Sequence, residues 1–188
     1  DPYLEEKPQR ANMGIGLNRG TSNWTSGDGE RIFLVNSAHL VSLDAKTGKQ
    51  VASFGTDGRV DLRLGIRAEP LRAYHWTSPP LICGDVVVLG NSTLDPHNRK
   101  ESEPGYIRGY DAASGKLEWV FHIIPLAGEV GYDTWQDGSA SYTGNANVWT
   151  MMSADPDLGY AYLPVGNATN DHYGGHRPGT NLFANSLV

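Results

Sequence analysis

One cysteine in 188 residues leaves no means of closing an internal disulfide, and at this length none is needed to hold a core together. That cysteine, Cys83, ends the apolar run Leu81-Ile82-Cys83 and reads as a buried structural thiol rather than a nucleophile. Long hydrophobic runs are also missing: nowhere do 18 apolar residues follow one another, which excludes a membrane-crossing helix. The opening residues Asp1-Pro2-Tyr3-Leu4-Glu5-Glu6 lack the basic-then-apolar pattern of a signal peptide, so the chain as given is expected to be soluble, with a cleaved signal or an anchor on adjoining sequence left open. Positive charge is scarce. Fifteen Lys and Arg against 21 Asp and Glu give a net charge of −6, and the basic residues are scattered, which excludes nucleic acid and anionic membranes as partners. What the chain has in quantity is turn-forming and aromatic residues: 23 Gly, 11 Pro, 5 Trp and 9 Tyr. Gly and Pro weaken helix interiors, so an all-β class is expected.

An internal repeat organises the middle of the chain. Leu40-Val41-Ser42-Leu43-Asp44-Ala45-Lys46-Thr47-Gly48-Lys49 returns as Ile107-Arg108-Gly109-Tyr110-Asp111-Ala112-Ala113-Ser114-Gly115-Lys116, offset by 67 residues. In each copy an alternating strand ends at an Asp able to accept turn amides, and a Gly supplies positive φ before the next strand, so each reads as a hairpin. Residues 31–35 and 50–54 are predicted to flank the first hairpin as strands. Residues 79–83, 86–89, 106–110 and 117–121 are predicted as four further strands, the number in a propeller blade. A third unit is predicted from strands at 148–153 and 160–164, with 186–188 opening another. Approximate blades at 21–60, 77–124 and 145–188, the last incomplete, cannot close a ring of roughly four to eight. All 188 residues are therefore expected to be a segment of one larger propeller domain. The long connections 61–76, 92–105 and 125–147 exceed hairpin loops and are of the kind that carries sites.

Leu17-Asn18-Arg19-Gly20, Trp76-Thr77-Ser78-Pro79-Pro80, Gly105-Tyr106-Ile107-Arg108-Gly109-Tyr110-Asp111, Asn147-Val148-Trp149, Asp155-Pro156 and Gly166-Asn167 occur in that order. As an ordered set they resemble the pyrroloquinoline quinone (PQQ) dependent alcohol and glucose dehydrogenases. The Thr-Ser-Pro-Pro and Ile-Arg-Gly segments look most like the membrane-bound glucose dehydrogenase branch. The resemblance implies an eight-bladed propeller of which this chain covers two to three blades, with PQQ near the axis and calcium, or a lanthanide, bridging cofactor and protein. A planar tricarboxylated quinone calls for an aromatic platform, cationic or hydroxyl donors, and oxygen ligands for a hard cation. By resemblance Trp149 is the floor under the quinone; otherwise a Trp there buries its ring in the core. Arg19 matches an arginine beside the quinone oxygens, where fixed positive charge stabilises the reduced cofactor; otherwise it is a solvated loop residue. Thr77 and Ser92 match donors to PQQ carboxylates. Asp95 and Asn167 match the acidic and amide calcium ligands.

Two departures accompany the likeness. Methanol-type members carry a disulfide of adjacent cysteines over PQQ, where Met13-Gly14 stands here, and the expected catalytic Asp would lie beyond Val188, so no residue of this chain is assigned as the base. The implied reaction is oxidation of an alcohol or of the anomeric carbon of an aldose by hydride transfer to the quinone, with electrons leaving to a quinone pool or a cytochrome, in the periplasm. The rival reading is a non-catalytic propeller of the same repeats serving as an assembly scaffold, which has no reason to keep Arg19, Trp149, Asp95 and Asn167 together. His75, His97, His172 and His176 fit no compact zinc spacing, and Gly14-Ile15-Gly16 lacks the strand-then-helix setting of a dinucleotide fingerprint. Asn23, Asn91 and Asn167 each open an Asn-x-Thr sequon, which matters only in a glycosylating pathway.

Overall fold

The computed structural model describes residues 19–27, 29–67, 74–94, 96 and 98–188; Asp95, Asn18, Met13-Gly14 and His97 lie outside them. The described residues form mainly short antiparallel strands with two 3-10 turns, Tyr132–Thr134 and Ser139–Ser141. Strands β1 (Ser22–Ser26), β2 (Gly29–Asn36), β3 (His39–Asp44) and β4 (Arg59–Asp61) form one meander in chain order. Strand β5 (Tyr74–His75) precedes a second four-stranded sheet of β6 (Leu81–Cys83), β7 (Val86–Leu89), β9 (Tyr106–Asp111) and β10 (Leu117–His122). Between β7 and β9, strand β8 (Ser92–Thr93) leaves that sheet to pair with β5, and β11 (Ser153–Asp155) with β12 (Tyr160–Tyr162) makes a last hairpin.

The repeated decapeptides close by the same bonds. Asp44 N donates to Lys49 O and Gly48 N to Asp44 O, both at 2.8 Å; Asp111 N donates to Lys116 O at 2.9 Å and Gly115 N to Asp111 O at 2.8 Å. In each turn the Asp Oδ1 accepts the amide three residues on, from Thr47 or Ser114, at 2.7 Å. Gly48 and Gly115 take φ of 67° and 76°, the left-handed region open to glycine. The hydroxyls of Thr47 and Ser114 are the first cause holding the Asp44 and Asp111 carboxyls below their ordinary range.

Burial on both faces explains the unbroken apolar run of β7. Val87 and Leu89 pack toward the first sheet with Phe33, Leu40, Phe54, Leu62 and Tyr110, whereas Val88 and Ile107 face a second core with Ile123, Ile124, Trp135, Val148 and Leu163. Fully buried side chains of this size contribute about 1.5–3 kcal/mol each. Polar ties run between the sheets as well: Trp24 Nε1 donates to Asp85 Oδ1 at 3.0 Å and Arg31 Nη1 to Ala112 O at 3.0 Å.

Three expectations are corrected. Residues 50–54 are no strand: Gln50 makes an isolated bridge to Leu43, and Phe54 N bonds Val51 O at 2.9 Å, closing a turn that buries Phe54 against Phe33 with ring centroids 5.4 Å apart. The edge position goes to β4 instead. Residues 148–152 form no strand: they carry a bend at Thr150, and the strand begins only at Ser153. Cys83 is only half-buried and lines an apolar groove, its thiol 3.7 Å from Tyr160 O.

Candidate cofactor site

Three segments distant in sequence meet where β7 ends. Gly90 allows the first approach: a Cβ there would stand 2.2 Å from Val148 O, so only a residue without a side chain lets the 148–149 backbone lie against this strand end. Gly105 does the same for Ala146 O, also at 2.2 Å. Residues 144–147 then run antiparallel to 166–169, with Ala146 N donating to Asn167 O at 2.8 Å and Gly166 N to Asn147 O at 2.9 Å.

The arrangement leaves Trp149 49% exposed, so it is not a core residue. Its carbonyl is gripped twice, by Thr77 Oγ1 at 3.0 Å and by Arg19 Nη1 at 3.0 Å, and the same Nη1 reaches Thr77 O at 3.4 Å. The Arg19 guanidinium carbon lies 5.3 Å from the indole centroid, within cation–π range. Thr77 is buried, and its one donor is engaged by the Trp149 carbonyl. On the other edge of the indole, the position of a Cβ on Gly166 would be 3.8 Å from Trp149 Nε1, which puts the residue next to Asn167 beside the ring. Arg19, Thr77, Trp149 and the Asn167 segment are thus brought together. Ser92 sits half-buried on β8 opposite His75 in the β5 pair.

Under this surface lies a polar interior absent from the sequence expectations. Thr93 Oγ1 donates to Asn145 Oδ1 at 3.1 Å, Asn147 Nδ2 donates to Thr93 Oγ1 at 3.1 Å, and Asn147 also bonds Asn145. Beside it Glu103, 7% exposed, joins the same backbone through Asn145 N to Glu103 O at 2.8 Å. Among the described residues its buried Oε2 has no hydrogen-bond partner, nor has Nε2 of His75. Burial is the main cause lowering the His75 pKa, and the Glu103 charge opposes it. The sequence signal for Glu103 was its place in Glu101-Ser102-Glu103-Pro104, just ahead of the repeated strand; nothing in that spacing marks it as buried.

An orphaned carboxylate oxygen suits a hard cation, and an exposed indole flanked by a guanidinium suits a planar polyanion. Asn167 fits a cation less simply, because its Oδ1 already accepts from Arg177 Nη2 at 3.2 Å and from Ala168 N at 3.0 Å. Among the described residues no three His, Cys, Asp or Glu side chains cluster as a metal site, so any metal here would need amide or cofactor oxygens.

A family model for the glucose/ethanol/alcohol dehydrogenase β-propeller domain, designated PQQ, matches residues 3–188. Quinoprotein glucose dehydrogenase A of Acinetobacter calcoaceticus is 35% identical over 163 residues, 84% of this chain and 20% of that protein. The glycerol dehydrogenase large subunit of Gluconobacter oxydans is 33% identical over 151 residues, 79% of this chain and 20% of that protein. Among solved structures, quinohemoprotein alcohol dehydrogenase ADHIIG of Pseudomonas putida HK5 superposes with a TM-score of 0.70 at 28% identity, covering 92% of this chain and 24% of that one. The chain spans about a fifth of the length of the curated relatives it matches. It belongs to the PQQ-dependent dehydrogenase family, within that family's β-propeller domain.

Proposed function

We propose that this chain is the cofactor-seating part of a quinoprotein dehydrogenase that oxidises an alcohol or an aldose sugar and passes the electrons to a quinone or a cytochrome in the periplasm. Its sheets would be two to three blades of an eight-bladed ring, completed by the remaining blades. The supporting observation is the convergence of Arg19, Thr77 and Trp149, in which two donors from separate segments fix the backbone of one half-exposed tryptophan. A scaffold protein would have no use for an indole held this way.

In this reading Trp149 supplies the flat apolar face on which PQQ rests, Arg19 offers positive charge to its oxygens, and Ser92 offers a hydroxyl to its carboxylates. Thr77 contributes by holding the Trp149 carbonyl, which fixes the height of the platform. Glu103, Asn167 and Asp95 are the oxygen donors of this chain for calcium or a lanthanide. Bound PQQ with its metal would supply the hydride acceptor. This chain's own residues orient that group, exclude water beneath it through the Val148 contact with Gly90, and stabilise negative charge through Arg19. The catalytic Asp is expected outside the chain.

The test is PQQ titration in the presence of calcium, read by quenching of tryptophan emission. Trp149→Ala should weaken binding by about tenfold or more, since a stacked aromatic pair is worth about 0.5–1.5 kcal/mol beyond the area it buries. Unchanged affinity would remove Trp149 from the site.

A further inference from the structure

The oxygen that Asn167 would offer a metal is already taken by a cation of the chain itself. Arg177 Nη2 donates to Asn167 Oδ1 at 3.2 Å, alongside the Ala168 amide at 3.0 Å. The amide cannot be turned the other way: its Nδ2 donates to Asp171 O at 3.4 Å, and reversal would set an NH2 group against two donors. Arg177 is meanwhile anchored by other atoms, Nε to Thr169 O at 3.1 Å and Nη1 to the buried Asn181 Oδ1 at 2.8 Å. The loop from Asn167 to Asn181 is folded around one guanidinium.

Calcium binds oxygen at about 2.3–2.6 Å. A calcium ion and this guanidinium sharing one amide oxygen would therefore stand about 5 Å apart, close enough for strong mutual repulsion in a partly buried site. The guanidinium is planar and rigid, so Nη2 cannot leave while Nε and Nη1 keep their places; a cation that takes the Asn167 oxygen must turn the whole group away, and the bonds to Thr169 O and Asn181 Oδ1 loosen with it.

We propose that Arg177 is a built-in competitor for the metal: in the metal-free protein its guanidinium holds the Asn167 oxygen, and an incoming divalent cation must displace the guanidinium. The inference rests on Asn167 being a metal ligand, as the proposed function has it. It gives Arg177 a sign that a loop anchor would not have. Removing an anchor loosens the site and weakens metal binding, whereas removing a competitor strengthens it.

The experiment titrates the full chain with terbium as a luminescent stand-in for calcium, reads emission sensitised by Trp149, and repeats the titration in competition with calcium. Arg177→Gln should lower the half-saturating concentration about tenfold or more, the range of one charge-assisted hydrogen bond. Asn167→Ala should raise it. If Arg177→Gln weakens binding or leaves it unchanged while Asn167→Ala weakens it, Arg177 is a loop anchor and the proposal is overturned with the metal reading intact. If Asn167→Ala changes nothing, or no variant binds terbium, the metal reading itself fails and takes the proposal with it. Arg177→Lys keeps the charge but not the three-way fork, and covers the case in which the Gln variant does not fold. It should tighten binding by a smaller factor, and weaker or equal binding overturns the proposal.

Discussion

His75 shows how one side chain can set a pH limit on the whole structure. Its Nε2, on the strand that leads into Thr77, is buried with no partner among the described residues, and desolvation lowers its pKa against the opposing charge of Glu103. The unfolded chain, with an ordinary imidazole pKa of about 6.5, binds more protons than the folded one just below that pH. Stability should therefore fall as pH drops through about 6.5 and continue falling until the folded-state pKa is passed. The depressed carboxyls of Asp44, Asp61, Asp111 and Glu129 have the usual acid behaviour: their stabilisation is present above the unfolded carboxylate pKa values and is lost only on further acidification, through their lowered folded values. The two windows separate. Melting temperatures between pH 7.5 and 5 should slope downward in the parent protein and flatten in His75→Gln; an equal slope in both would show that another group carries the dependence.

At the level of elements, the site depends on backbone contacts that glycine alone permits. Gly90 meets Val148 O, a backbone atom that cannot swing aside, so Gly90→Ala must push the 148–149 segment outward and disturb the Thr77 and Arg19 grip on Trp149. A cost of about 1–3 kcal/mol is expected for such overpacking, together with a shift in tryptophan emission; denaturant unfolding with both unchanged would mean the segment adapts freely. Contacts of this kind explain what the sequence could and could not disclose. The hairpins at Asp44 and Asp111 were legible because every bond in them is local: an Asp, a hydroxyl three residues on, and a glycine. Strand β4 and the β5–β8 pair were not, since runs of two or three residues have no periodicity and are defined by partners up to 22 residues away. Residues 50–54 misled because the apolar residues Val51 and Phe54, three positions apart, serve a turn whose side chains plug the inter-sheet core. In the candidate site, the convergence of Arg19, Thr77 and Trp149 follows motifs that could be picked out by their order in the sequence. Glu103 and Arg177 could not, because burial of one and capture of Asn167 by the other arise only from the folding of long loops.

For the whole molecule, the unfinished feature is an apolar groove of about 640 Å3 between the outer strands of the second sheet and β12, lined by Cys83, Val86, Trp119, Phe121 and Tyr160 among others. Trp119 lies over Gly109, where a Cβ would be 2.2 Å from its ring, and still remains partly open to solvent, as do Leu117, Val120, Tyr160 and Tyr162. The second core reaches the floor of this groove through Val88 and Leu163, so the groove is continuous with the interior rather than an isolated dent. Contiguous apolar surface of this kind is uncommon on a free monomer. In the proposed ring it would face further sheets. The 188-residue chain by itself should therefore bind an amphiphilic dye such as anilinonaphthalene sulfonate, with enhanced and blue-shifted emission, and Trp119→Lys combined with Tyr160→Lys should cut that emission by roughly half or more while the Asp44 and Asp111 hairpins stay folded. A quinoprotein of this family at the full length of the relatives should show little such emission, because sheets packed side by side cover the same face. Equal dye binding by the short chain and its double variant would mean that the groove is not the exposed surface, and equal binding by short and full-length proteins would mean that no further sheet covers it.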